Sequence, residues 1–180
     1  KRNADLQCSN IVSLPDNAGD VAVPTSYFNC VYQLFHLYHH YFYEGVGLRQ
    51  IVDYYYVLVK GEEGRVKNLT VLQRELKQLG LWKFAGAVMY VLHVVLGLSE
   101  EKMICPMDVK RGRVFLDEIL AGGNFGHYDT RISFGNGALG HNMQRLYRDL
   151  RLAWYYPGEA LSEPVFRVWH YLWRKRSNKR

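Results

Sequence analysis

Residues 24–61 read PTSYFNCVYQLFHLYHHYFYEGVGLRQIVDYYYVLVKG, and the spacing of their apolar side chains decides the fold. Phe28, Val31, Tyr32, Phe35, Tyr38 and Phe42 recur at three and four residues, the period of one helix face. Pro24-Thr25-Ser26 supplies the start, with a hydroxyl placed to cap the first turn, and Gly45 and Gly47 supply the stop. A second helix is expected from about Leu48 to Val59, ended at Gly61. The tight glycine turn between them folds the second helix back along the first.

Upstream, Ile11 to Leu14 and Val21 to Val23 are short apolar runs around the turn-forming cluster Pro15-Asp16-Asn17-Ala18-Gly19-Asp20, which is a hairpin signal. Two strands are not stable alone in water, so this hairpin packs on the helices or belongs to a sheet lying mostly before Lys1. Downstream, a third helix is expected from Leu69 to Leu79 behind the polar Asn68, stopped at Gly80. Leu81 to Leu98, LWKFAGAVMYVLHVVLGL, reaches only the short end of a membrane span. Lys83 and His93 interrupt it and no basic flank follows, so it reads as a central helix buried on all sides. Ser99-Glu100-Glu101 starts a short turn, Pro106 breaks it, and Gly112 to Ala121 is amphipathic through Val114, Phe115, Leu116, Ile119 and Leu120. The interval 122–140, with six glycines, is expected to be a loop, either a connector or a lid. Two closing helices, about 142–156 and 164–175, are separated by Tyr156-Pro157-Gly158. The fold class is therefore mainly α, a bundle of six or seven helices with a short N-terminal β-hairpin. Residues 1–23 read as the end of an upstream domain and residues 24–180 as a helical domain.

The 180 residues, 48% of them hydrophobic and 22% charged, allow one compact domain and exclude disorder and coiled coil. A net charge of +6 is compatible with an anionic ligand without proving one. Cys8, Cys30 and Cys105 are scattered and odd in number, which points to free thiols in a reducing cytosol and away from a disulfide framework. The chain begins at Lys1 with no secretory pattern behind it, and is expected to be a piece of a longer protein in the cytoplasm.

Chemistry concentrates on one stripe of the first helix. Asn29, Gln33, His36, His40 and Glu44 follow each other at three or four residues, and Arg49, Gln50 and Asp53 come just past the turn. Three readings stand: a solvated face with an Arg49–Asp53 ion pair, a zinc site on His36 and His40, or a ligand-facing surface. In the last, Arg49 holds an anion such as a phosphate and Asp53 or Glu44 supplies a carboxylate. His-Glu-x-x-His is absent, so no metal ligand set is assigned. Neither a phosphate-binding G-x-x-x-x-G-K-[ST] nor a G-x-S-x-G elbow occurs. In the tail, Trp169, Tyr171 and Trp173 interleave with five Lys/Arg residues, which suits nucleic acid. Phe166, Trp169, His170 and Trp173 also follow helical spacing and fit a core stripe, and a basic helix end is favourable against the macrodipole.

Four blocks in order, residues 23–58, then LGLWKFAGAVMYVLHVVLGL, then LAGGNFGHYDTR, then YYPGEALSEPVFRVWHYLWRK, resemble the C-terminal portion of a bacterial family labelled uncharacterised nucleotidyltransferase. The most specific element is His-x3-His, then Glu-Gly-x-Gly-Leu-Arg-Gln, then Asp, from His36 to Asp53. The resemblance implies transfer of a nucleotidyl group from a nucleoside triphosphate by a polymerase-beta-like domain using Mg²⁺. The Gly-Ser turn and paired aspartates of such domains have no counterpart here, so none of those residues can be carried over. It implies a helical C-terminal region, inactive alone, whose partner is the catalytic domain upstream. By analogy, His36, His40, Glu44, Arg49, Gln50 and Asp53 face the acceptor side of the cleft, with Asp53 or Glu44 the candidate catalytic carboxylate. The alternative is a non-enzymatic helical module binding nucleic acid or a protein through its basic C-terminal face.

Overall fold

A computed structural model describes residues 10–13, 19–43, 45–61, 69–122, 147, 150–158, 169 and 173–176. The chain divides into two compact units, Lys1–Tyr128 and Asp129–Arg180, and the division falls inside the glycine-rich interval. The fold is mainly helical. In the first unit, strands β1 (Asn10–Ser13) and β2 (Asp20–Val23) pair antiparallel, with Asn10 opposite Val23 and Ser13 opposite Asp20. Among the described residues five α-helices follow: α1 (Ser26–Tyr43), α2 (Leu48–Lys60), α3 (Leu69–Gln78), α4 (Trp82–Leu96) and α5 (Val109–Gly122). A 3-10 turn at Glu100–Lys102 joins α4 to the segment before α5.

Local chemistry sets each boundary. The Thr25 hydroxyl accepts a hydrogen bond from the Phe28 N–H at 3.1 Å, capping α1. Gly45, at φ +105°, ends it by donating its N–H to the His40 carbonyl at 2.6 Å. Gly97, at φ +69°, ends α4, where its N–H bonds the His93 carbonyl at 3.1 Å and the Leu98 N–H bonds the Leu92 carbonyl at 3.0 Å. His93 Nδ1 donates to the Leu98 carbonyl at 2.7 Å, so this polar residue of the apolar segment serves the helix end. Among the described residues no helix is long and apolar enough to cross a membrane.

The core centres on α4, whose Phe84, Ala85, Ala87, Val88, Met89, Val91 and Leu92 are buried. Phe84 lies among Tyr38, Tyr41 and Phe115, with ring centroids 5.4, 5.6 and 5.3 Å away. Helix α2 turns Ile51, Tyr54 and Leu58 inward, and the Tyr54 hydroxyl donates to the Cys30 carbonyl at 3.1 Å. Helix α3 turns in Leu72 and Leu76, and the Tyr27 hydroxyl donates to Glu75 Oε2 at 2.6 Å. Helix α5 lies close against α4 because Gly112 has no side chain. A Cβ there would stand 2.3 Å from Tyr90 Cγ and 2.4 Å from Tyr90 Cβ.

The inward face of α1 shares only Phe42 with the six apolar positions of the expected stripe. Cys30, Leu34, Leu37, Tyr41 and Phe42 are buried, whereas Tyr32 and Phe35 are 48% and 53% exposed. The helix is apolar around most of its circumference, so two stripes satisfy the same spacing. The one through Cys30, Leu34, Leu37 and Tyr41 packs, while half-buried Phe28 and exposed Tyr32 stack on each other at 5.5 Å. In the second unit, residues 150–153 and 173–176 are helical; the break expected at Tyr156-Pro157-Gly158 falls at 154–156, and helix resumes at Pro157-Gly158. Trp169 and Trp173 are 57% and 54% exposed, so these two positions do not form the expected core stripe. The remaining residues of 123–146 and 159–168 lie outside the described part of the chain, as do Glu44, Cys8 and the hairpin turn 14–18.

Candidate functional site

The polar stripe of α1 runs beside its buried face. Asn29 and Gln33 are half-buried, His36 is exposed and His40 is half-buried. His36 and His40, one helical turn apart, meet with their Nε2 atoms 3.0 Å apart. Their rings stand edge-on at 88°, with centroids 4.3 Å apart. Tyr32, a further turn back, stacks on His36 at 6.2 Å and 10°. A ladder of rings at four-residue spacing, Phe28, Tyr32, His36 and His40, thus leads toward the turn. Its signal was present in the sequence but is visible only once Tyr32 is placed outside the core.

The turn is fixed at both ends. Val46 is buried, anchoring the loop, and the Gly47 N–H donates to Gln50 Oε1 at 3.0 Å, so Gln50 caps the first turn of α2. A substrate-facing Gln50 would compete with that bond. Arg49 and Asp53 are exposed, at positions opposite the Ile51, Tyr54 and Leu58 face. Among the described residues they form no ion pair with each other. The structure therefore brings His36 and His40 together, commits one atom of Gln50 to the backbone, and leaves Arg49 and Asp53 in solvent. Glu44, the last residue of the stripe, lies outside the described residues.

Two other groups have strongly shaped environments. The Cys105 thiol is pushed up to about 12 by burial and, secondarily, by Cys30 nearby. Both cysteines are buried and reduced, which makes them poor nucleophiles. Burial acts to raise the Asp108 carboxyl, but hydrogen bonds from the Arg111 backbone and guanidinium, with its charge, outweigh that and hold it below the usual range. Those bonds are 3.0 Å from the Arg111 N–H to Oδ1 and 2.7 Å from Nη1 to Oδ2, a cap for α5. Among the described residues no group of three or more His, Cys, Asp or Glu gathers as a metal site. No family model, curated protein or solved structure matches the chain.

Proposed function

We propose that this chain is the helical C-terminal part of a cytoplasmic bacterial nucleotidyltransferase and forms the acceptor side of its cleft. One observation carries the reading. The resemblance from His36 to Asp53 falls on a paired-histidine ridge and, across a tight turn, on exposed Arg49 and Asp53, none of which the core consumes. Arg49 presents a planar cation suited to a phosphate of the nucleotide or acceptor. Asp53 supplies a carboxylate that can accept the proton of an acceptor hydroxyl or amine. Mg²⁺ and the nucleoside triphosphate belong to the upstream domain in this reading. Mg²⁺ takes oxygen ligands, and the described carboxylates here do not gather into a set for it, so no step of this chain runs through the ion.

The test is nucleotide incorporation by the full reading frame. The chain alone transfers nothing, and Arg49→Ala and Asp53→Ala in the full-length protein each lower turnover by about 10²-fold while helical content is kept. Wild-type rates in both variants would overturn the reading.

A second reading has its own support. Exposed Trp169 and Trp173 sit beside exposed Arg174, Lys175 and Arg176, a combination of stacking surface and charge that suits single-stranded nucleic acid. Binding of single-stranded RNA by this chain that weakens steeply with salt and is lost in Trp173→Ala would favour that reading over the first.

A further inference from the structure

We propose that His36 and His40 form a two-histidine clip for a divalent transition-metal ion that prefers right-angled ligands, Cu²⁺ or Ni²⁺. The proposal does not depend on nucleotidyl transfer, and its test needs no substrate. It rests on the geometry of the pair. Imidazole nitrogens bonded to such a metal at about 2.0–2.1 Å lie about 2.8–3.0 Å apart when the two bonds meet at a right angle, and about 3.3–3.4 Å apart at a tetrahedral angle. The two Nε2 atoms already stand 3.0 Å apart. The ring centroids, at 4.3 Å, are closer than a straight N···N contact of that length would place them, so the contact is bent, as for two rings rising from one helix face.

The chemistry of the contact agrees. Two neutral imidazoles that meet through Nε2 share one hydrogen between those atoms. A metal ion takes its place when that hydrogen moves to Nδ1 of the same ring, which leaves both Nε2 atoms as ligands with no net change in protons. Tyr32, stacked nearly parallel on His36, restrains that ring in the way outer groups orient metal ligands. The i, i+4 spacing on a capped helix removes most of the ordering cost, because backbone hydrogen bonds already hold both side chains on one face. With two side-chain ligands among the described residues, the other coordination positions stay open to water or to an oxygen of a bound anion.

His39 is the internal control. It is exposed and adjacent, yet its ring centroid is 6.1 Å from that of His40 and it lies on another face of the helix. The experiment titrates Cu²⁺ into the chain and its His36→Ala, His40→Ala and His39→Ala variants, read by calorimetry and electron paramagnetic resonance. One ion with the nitrogen splitting of two imidazoles is expected. Loss of either clip residue weakens it by about tenfold or more, since the second ligand acts at high effective concentration. His39→Ala leaves both readouts unchanged. Affinity and splitting that survive His36→Ala or His40→Ala, or that vanish in His39→Ala, would overturn the proposal.

Discussion

Replacing Gly112 by alanine tests the closest approach in the bundle. In an exposed helix interior this change stabilises by roughly 0.5–1 kcal/mol, because glycine loses more backbone freedom on folding. Here the new Cβ would stand 2.3–2.4 Å from Cγ, Cβ and Cδ1 of Tyr90. Those atoms lie at the root of the ring, so a rotamer change cannot clear them and α4 and α5 must separate. Overpacking of this kind costs about 1–3 kcal/mol, which leaves a net loss of roughly 1–2 kcal/mol after the propensity gain. For a chain of this size that lowers the melting temperature by roughly 2–8 °C, measurable by circular dichroism at 222 nm. In a Tyr90→Gly background the obstruction is gone, and Gly112→Ala should then stabilise by about 0.5–1 kcal/mol. A Gly112→Ala variant that melts at or above the parent temperature would show that the helices are not held this close.

Two further outcomes follow from the shaped groups. At pH 8 the native chain should leave Cys30 and Cys105 unlabelled by a thiol reagent, with Cys105 pushed up to about 12, and denaturant should expose both; mapping the labelled peptides separates them from Cys8. Labelling of native Cys105 at the rate of a small thiol would contradict its burial. Asp108→Ala should cost about 1 kcal/mol through the lost α5 cap. The folded carboxyl is depressed, so its contribution is present above the unfolded carboxylate pKa and lost as pH falls through the lower folded value. The gap between parent and variant in urea midpoint should therefore close in acid, and a gap independent of pH would refute the role given to Arg111.

Helix boundaries were legible because their causes are local. Thr25, Gly45, Gly61 and Gly80 act within a turn of their own positions, and each stands where the sequence alone placed a start or stop. The buried face of α1 was not legible, because that depends on partners distant in sequence. Spacing offered the aromatic stripe through Phe28, Tyr32 and Phe35 as readily as the mostly aliphatic one through Cys30, Leu34 and Leu37, and Phe84 and Tyr54 selected the second. The contact of Gly112 with Tyr90 is of the same non-local kind. Gln50 is different. A glutamine three residues past the first N–H of a helix is a recognisable cap, and its side chain follows that local rule.

The same distinction bears on function. A folding core keeps few polar groups, and those it keeps are tied to backbone or to each other, as buried Tyr54 and half-buried His93 and Asp108 are here. The stretch from His36 to Asp53 follows that pattern only in part, since Arg49 and Asp53 stand exposed. It sets two histidines against one another on the outside of an aromatic helix, then an arginine and an aspartate in solvent beyond a turn anchored by Val46. Aromatic rings left outside, such as Tyr32 and Phe35, give up burial that the bundle would otherwise gain. One account is a ridge that only faces solvent; the other is a ligand that rests on it, covering the rings and meeting the imidazoles. Substituting Tyr32 and Phe35 by polar residues then separates the two accounts: a purely structural ridge tolerates the change in every assay, and a ligand-bearing one loses binding while its melting temperature holds.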